Sequence, residues 1–426
     1  MIKNLIFFFN FFSCVFIFEK KILNKRIQYL EFFFKKINFL NFFNFLSDKN
    51  NFNPIKSKSF IKFINLNKKK WINHKSQNKS KQIIIVENFI NHPSYSITNA
   101  VAGIFLNNIF KYKLAAILRY GDIKGEVIFR SFGIKKFFFL KNPNLIKRLT
   151  YIYKSLKKIE NVNSIKNFCK LNYKNINIGL SSYDSYIRYT GVPTLTKINN
   201  ELVVILADCM ASCDAFEKIF NRNKNIKISV QSETVFNPLN SFFQICLKNK
   251  TEVYARCGQD EISLRRYTDW GQRFSYRYNI SQKIFDELFS KNKIKILKSF
   301  NKIYKNQLRH KKFGIDARIK ELANQKLKTI SKDNLIKTYN WDNKKIVVFF
   351  LNHFIDRNFH NGPRVNFQDN YSWTEFILNQ MPKINNVNWI IKSHPTELFY
   401  NSKKNHNEKI QNLIKNYKHI KLFPNN

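Results

Sequence analysis

Glycine and proline are scarce in this chain, at 10 and 9 of 426 residues. That excludes collagen-like, Pro-rich and flexible-linker architectures, all of which need one or both in quantity. Cysteine is sparse and scattered: Cys14, Cys169, Cys209, Cys213, Cys246 and Cys257 form no Cys-x-x-Cys pair. Neither a zinc ribbon nor a thioredoxin-type motif is supported, and the compartment reads as reducing cytosol. Cys209 and Cys213, four apart, can share a helix face and read as buried thiols rather than ligands. No apolar run reaches the roughly 20 residues that a bilayer-spanning helix takes. No internal repeat is visible.

Acidic residues are also few, 28 against 74 Lys and Arg, for a formal charge of +46. A field of that sign attracts anionic membrane surfaces, nucleic acid or phosphorylated substrates. The charge is carried mainly by Lys, and Asn, Ile and Phe (44 Phe) are swollen alongside it. These four residues share A/T-only codons, so mutational bias accounts for the excess. No nucleic-acid module accompanies it, and no nucleic-acid partner is expected.

A hydrophobic content of 44% with 24% charged residues is that of a globular protein, long enough for two domains. Residues 1–80 stand apart. Leu5 to Phe18 is an apolar run broken by Asn10, with no small-residue cleavage site after it. Tyr29 to Leu46 is loosely amphipathic, basic and Phe-rich. The segment reads either as a helix lying in a membrane interface or as a poorly ordered leader, and is set aside from the fold.

From Gln82 the pattern sharpens. Ile83-Ile84-Ile85-Val86 is a continuous apolar run, as in a strand buried on both faces. A helix follows His92-Pro93-Ser94, with Ala100, Val101, Ile104, Phe105 and Ile109 on one side. Strands are expected at Leu114–Leu118, Phe137–Leu140, Ile226–Val230 and Glu252–Ala255, and helices at Asn144–Lys157 and Leu239–Leu247. This alternation predicts βαβ units and a parallel sheet. A Lys-rich helical stretch from Ile280 to about Thr338 leads to a second series. Lys345–Leu351 is its clearest buried strand. A polar loop of about 20 residues follows, long enough to imply function. Ser372-Trp373-Thr374-Glu375 reads as a capping box. Val387–Ile391 is the next strand, Glu408–Tyr417 a helix and Ile420–Phe423 a strand. The domains expected are thus 82–330 and 340–426.

Ligands of open α/β sheets bind beyond the carboxyl ends of the strands. That rule selects two loops, Asn352 to Tyr371 and Lys392 to Glu397. The second places a Lys and a His two apart, fixed by Pro395, where they are suited to grip a diphosphate. A surface Lys and a helix-capping His would give the same spacing. In the first domain Glu87 and Glu233 sit just after strands. Either is a candidate base for an acceptor hydroxyl, or a cap of the adjoining helix.

The stretch Val387-Asn388-Trp389-Ile390-Ile391-Lys392-Ser393-His394-Pro395 resembles the strand-plus-Lys-x-His-Pro signature of capsule and surface polysaccharide biosynthesis proteins and the related glycerophosphate polymerases. Phe350-Leu351-Asn352-His353-Phe354-Ile355-Asp356, then Asn366–Asp369 and the Trp373 helix, is similar to the segment preceding that signature. Ser232–Asn240 followed by Glu252-Val253-Tyr254 is more loosely similar to the last unit of the first lobe. The resemblance implies a GT-B architecture, two Rossmann-like lobes that bind a nucleotide-sugar donor and a glycan or lipid-linked glycan acceptor. It implies that Lys392 and His394 contact donor phosphate and that His353 and Asp356 line the cleft. No cofactor is implied, and no Asp-x-Asp pair is present to hold a metal. Cytoplasmic sugar transfer, peripheral to the inner face of the membrane, is the expected activity. Relatives continue through further strands that hold the nucleoside, so the second lobe is expected to be incomplete. Two other readings remain open: a nucleotide-sugar 2-epimerase of the same fold, and an inactive truncated remnant that associates with membrane or nucleic acid through its charge.

Overall fold

The computed structural model describes residues 2–47, 53–71, 80–90, 92–257, 263–272, 282–308, 330–355, 367–394, 403 and 405–423. The chain divides into two compact units. The first comprises Met1–Ser185 and Lys197–Arg273, and the second Tyr186–Thr196 and Phe274–Asn426.

Unit 1 opens with helices α1 (Ile2–Lys36), α2 (Phe39–Ser47) and α3 (Lys58–Trp71). Its sheet is built from β1 (Ile83–Asn88), β2 (Lys113–Arg119) and β3 (Lys136–Leu140), with α4 (Pro93–Phe110) and α5 (Ile123–Ser131) between them. Next come α6 (Leu145–Ile159), α7 (Ile165–Phe168), the short hairpin β4 (Asn172–Tyr173) and β5 (Ile176–Asn177), α8 (Gly179–Thr190), which belongs to unit 1 as far as Ser185, and α9 (Asn200–Arg222). The unit closes with β6 (Ile226–Gln231), α10 (Leu239–Lys248), β7 (Glu252–Cys257) and β8 (Ser263–Tyr267).

The strand order is β3-β2-β1-β6-β7-β8, parallel throughout except for β8, which runs antiparallel to β7. The fold is therefore α/β with a mixed, mostly parallel sheet of Rossmann-like order. β1 takes the centre because all six of its residues are buried. Ile84 and Val86 join a core with Ala100, Ile104, Ile128 and Phe129 of α4 and α5. Ile83 and Ile85 alternate to the other face, where α9 contacts β3 and α10 contacts β6 and β7. One of the few glycines is needed here. A Cβ at Gly103 of α4 would lie 2.6 Å from Val86 Cγ1, so only glycine lets helix and strand approach this closely.

Three sequence expectations change in unit 1. Phe105 and Ile109 point outward, 61% and 56% exposed, because α4 packs through Ala100, Ala102, Gly103, Ile104 and Leu106 instead. Helix α9 escapes sequence reading altogether. Its first half, Leu202 to Ala207, is buried without a break, so the apolar residues there show no period. Most consequentially, α1 is no loose leader. It packs on α6 and α9, burying Cys14, Phe18 and Ile22 at successive turns. Glu19 accepts two hydrogen bonds from Arg148, at 2.5 and 2.8 Å, and Lys21 pairs with Asp208 at 3.0 Å. Cys209 and Cys213 are buried in α9, and burial pushes the Cys209 thiol up to about 12, which leaves it unreactive.

Unit 2 contains α11 (Gln282–Leu308), α12 (Lys332–Tyr339), β9 (Lys345–Phe350), α13 (Asn370–Gln380), β10 (Val387–Lys392), α14 (Asn407–Asn416) and β11 (Ile420–Leu422). The strands form a separate parallel sheet ordered β11-β10-β9. Phe349, Leu351, Leu378, Met381, Ile391, Ile410 and Ile420 make its core. β9 is less buried than its apolar run suggests. It is an edge strand among the described residues, with Val348 and Phe350 41% and 62% exposed. The cap of α13 is Asp369 rather than Ser372. Its carboxylate accepts from the Ser372 amide and hydroxyl, both at 2.8 Å, and the helix starts three residues earlier than the capping box implies.

The docking of α1 is testable by a pair of substitutions. Phe18→Ala, at a site 2% exposed, is expected to cost about 4 kcal/mol of unfolding free energy. Phe16→Ala, at a site 70% exposed, is expected to cost less than about 0.5 kcal/mol. Equal effects in denaturant titrations would contradict the packing.

Candidate functional site

In unit 1 the chain runs from β1 outward to β3 on one side and from β6 to β7 on the other, so strand order reverses between β1 and β6. That reversal opens a crevice at the carboxyl ends of the two strands. Glu87 and Asn88 end β1 there, and Ser232 and Glu233 follow β6.

Glu87 fills the crevice. It is 0% exposed, and its carboxylate accepts from the Ser232 amide at 2.6 Å, the Ser232 hydroxyl at 2.5 Å, Asn99 Nδ2 at 3.2 Å and the Phe89 amide at 2.6 Å. Asn99, on α4, also donates to the Glu87 carbonyl at 2.8 Å. Burial pushes the Glu87 carboxyl up, against the pull of the bonds from Ser232, Phe89 and Asn99. Its lone pairs are taken up by protein donors, so in this arrangement it clasps β1 to β6 and α4 and reaches no acceptor hydroxyl. Glu233 is half-buried at the end of β6. Asn88 ties the neighbouring loops together: its amide nitrogen donates to Asp122 at 2.6 Å and its oxygen accepts from Ser96.

In unit 2 the carboxyl ends of β9 and β10 lie side by side, with Phe350 paired to Lys392 and the Leu351 amide donating to the Lys392 carbonyl at 2.9 Å. The loops that leave them bring His353 and His394, 41 positions apart, to a ring-centroid distance of 5.8 Å at 81°. Both are half-buried. Two imidazoles so placed can each turn an N–H toward one phosphoryl group. Lys392 does not converge with them in the same way. Its Nζ sits 4.0 Å from the centroid of the Phe423 ring, because the strand pleat turns it toward β11. Asp356 lies outside the described residues.

A third histidine was not singled out by sequence. His406, at the start of α14, is 4% exposed and stacks on Tyr371 at 4.0 Å, with Phe354 edge-on to both. Phe354 directly follows His353, so this aromatic packet fixes the loop that carries the site. The only sequence signal was a Tyr at the start of one helix and a His at the start of another, which is too common to be read. Among the described residues no group of three or more His, Cys, Asp or Glu could hold a metal ion.

No family model matches the chain, and neither a curated protein nor a solved structure matches it.

Two outcomes follow from this geometry. Glu87→Ala would leave the Ser232 and Phe89 amides and Asn99 without their acceptor. It is expected to cost about 3 kcal/mol of stability in chemical unfolding; an unchanged midpoint would show that the clasp is unimportant. His406 has its pKa lowered, chiefly by burial. The neutral ring is therefore favoured in the folded state, and its stabilisation is present above about pH 6.5 and lost as pH falls through the lower folded value. His406→Phe should flatten that acid limb in thermal unfolding. An identical acid limb in the variant would assign the loss to other groups.

Proposed function

We propose that the chain is a glycosyltransferase-type enzyme of capsule or surface polysaccharide assembly with a GT-B architecture. In this reading unit 2 takes a nucleotide-activated sugar and unit 1 a glycan acceptor. The observation that carries it is the meeting of His353 and His394 beyond the ends of two adjacent parallel strands, where α/β sheets bind phosphorylated ligands. The Lys-x-His-Pro signature at Lys392–Pro395 and the Rossmann-like order of unit 1 support it.

The chemistry is a displacement at the anomeric carbon. An acceptor hydroxyl forms the new C–O bond, the bond to the nucleotide phosphate breaks, and the leaving phosphate takes the electron pair. His394 and His353 stabilise that charge by hydrogen bonding, and Lys392 adds a positive field. The hydroxyl proton passes to a general base; Glu87, enclosed by its own hydrogen bonds, does not serve.

The enzyme would work on the cytoplasmic face of an anionic membrane. Among the described residues no helix is long and apolar enough to cross a bilayer. α1 nonetheless turns a second apolar stripe outward: Phe9, Phe12, Phe16, Leu23, Ile27 and Leu30 are each 45–70% exposed. At 3.6 residues per turn these six positions fall within about 60° of one another, one narrow stripe along the helix. Exposed Lys20, Arg26, Lys35 and Lys36 accompany it. Since the inner face of α1 is part of the core, the test is a point substitution rather than a deletion. Phe16→Ser is expected to reduce sedimentation with anionic vesicles by several-fold while leaving unfolding unchanged. Equal sedimentation would remove this face from the membrane reading.

The transfer itself is tested by incubating the protein with UDP-, CDP- and CMP-linked sugars and analysing the products. His394→Ala should weaken donor binding or turnover ten- to a hundredfold, the loss of one charge-assisted hydrogen bond of about 1.5–3 kcal/mol, with little change in stability. A protein that unfolds on this substitution while its folded fraction keeps full activity would make His394 structural. An epimerised nucleotide sugar in place of a glycoside would point to the 2-epimerase chemistry instead.

A further inference from the structure

The inner edge of α1 carries a second set of charges. Lys21, Lys25 and Tyr29 are spaced one turn apart and share a face. At one end, Lys21 Nζ donates to Asp208 Oδ2 of α9 at 3.0 Å. At the other, a Cβ placed on Gly121, in the turn after β2, would lie 3.9 Å from the Tyr29 ring. Lys25 therefore falls between Asp208 and the end of β2. The last residue of that strand is Arg119, half-buried like Lys25.

Electrostatics agree with this placement. Burial, then the Arg119 charge, pulls the Lys25 ammonium down to about 8. Asp208 is brought to about 2 by Lys21, Lys25 and Arg119, against the upward push of burial. Lys21 alone of the three cations has a carboxylate partner. Among the described residues neither the Lys25 amine nor the Arg119 guanidinium forms a hydrogen bond or an ion pair. The second nearby carboxylate, Asp122, is engaged by Asn88 Nδ2 at 2.6 Å and the Gly125 amide at 2.9 Å.

Half-burying two like charges that share one carboxylate, Asp208, already paired with Lys21, destabilises a fold. Here they stand at the carboxyl end of a Rossmann-like sheet, beside a crevice that Glu87 already fills. We propose that Lys25 and Arg119, positioned by the Lys21–Asp208 pair, form a binding site for a phosphoryl group. An ammonium point charge next to a guanidinium fork suits a multiply charged phosphate better than a single carboxylate. The site is independent of the His353–His394 pair and of the sugar-transfer reading. A nucleotide, free pyrophosphate or a lipid headgroup could each supply the phosphate.

The test is calorimetric titration of the full chain with inorganic pyrophosphate at low ionic strength, in a His394→Ala background so that unit 2 is not the site observed. Binding is expected, and Lys25→Met and Arg119→Gln should each weaken it by about tenfold or more. Affinity should also fall as pH rises through about 8, where Lys25 loses its proton. Asp208, held near 2, keeps its charge across that window, and the Tyr29 hydroxyl, which burial raises, stays neutral; Lys21 and Arg119 are the other charged groups that face Lys25. Lys25→Met should abolish the pH step. The free Lys25→Met protein should melt no lower than its parent, since a desolvated charge has been removed. If it melts several degrees lower, Lys25 is a structural clamp and Arg119→Gln alone decides. Tighter binding of UDP than of pyrophosphate identifies a nucleotide source, and binding only to anionic vesicles identifies a headgroup; both retain the site. No binding of any of the three, or binding insensitive to both substitutions, overturns it.

Discussion

The carboxylate of Glu87 is the point on which unit 1 is hung. Two strands about 140 positions apart must lie side by side at the centre of the sheet, and beyond their ladder the chain has to diverge in opposite directions. The polar groups left unpaired by that divergence are the Ser232 and Phe89 amides, both of buried residues. One buried carboxylate accepts from both, and from Asn99 of the helix between. Burial opposes its ionised form while the donors favour it. The residue that a bare strand-end rule marks as catalytic is thereby committed to holding strand ends together.

Filling the crevice has a consequence for where ligands can go. Of the cations next to it, Lys21 and Lys25 are carried by α1, a helix that the parallel sheet itself does not supply, and Arg119 by β2. Its two faces serve different ends: Cys14, Phe18 and Ile22 anchor it to α6 and α9, while Phe9, Phe12 and Phe16 remain outside. Because the anchored face also bears Lys21 and Lys25, the outward stripe and the charged inner edge move as one body. A contact that shifts α1 would shift both cations relative to Arg119.

Much of the fold was legible in the residues. The runs Ile83–Val86, Leu114–Leu118, Phe137–Leu140, Ile226–Val230 and Val387–Ile391 all appear in parallel strands, and the unbroken apolar signature is clearest in β1, which is covered on both faces. The convergence of His353 and His394 was legible for a related reason: each follows a strand, and the two strands are neighbours. What failed depended on environment rather than pattern. The first half of α9 is buried on all sides and has no period to read. α1 resembles a leader until Arg148 and Asp208 are seen to meet Glu19 and Lys21. Asp369 outcompetes Ser372 as a cap because a carboxylate at that position satisfies both the amide and the hydroxyl of Ser372. The Lys25–Arg119 cluster was invisible for the same reason as α1, since its members are 94 positions apart and only the docking of that helix joins them.

Eight histidines in the whole chain make the donor assignment directly observable. Imidazole resonances of ring-labelled protein can be followed by NMR during titration with a nucleoside diphosphate, with His353→Gln and His394→Gln used to assign the two signals. The expected result is that both resonances shift together and saturate at one ligand concentration, as a single phosphate bridging rings 5.8 Å apart requires. If neither resonance moves while the ligand demonstrably binds, the loops after β9 and β10 are not the donor site.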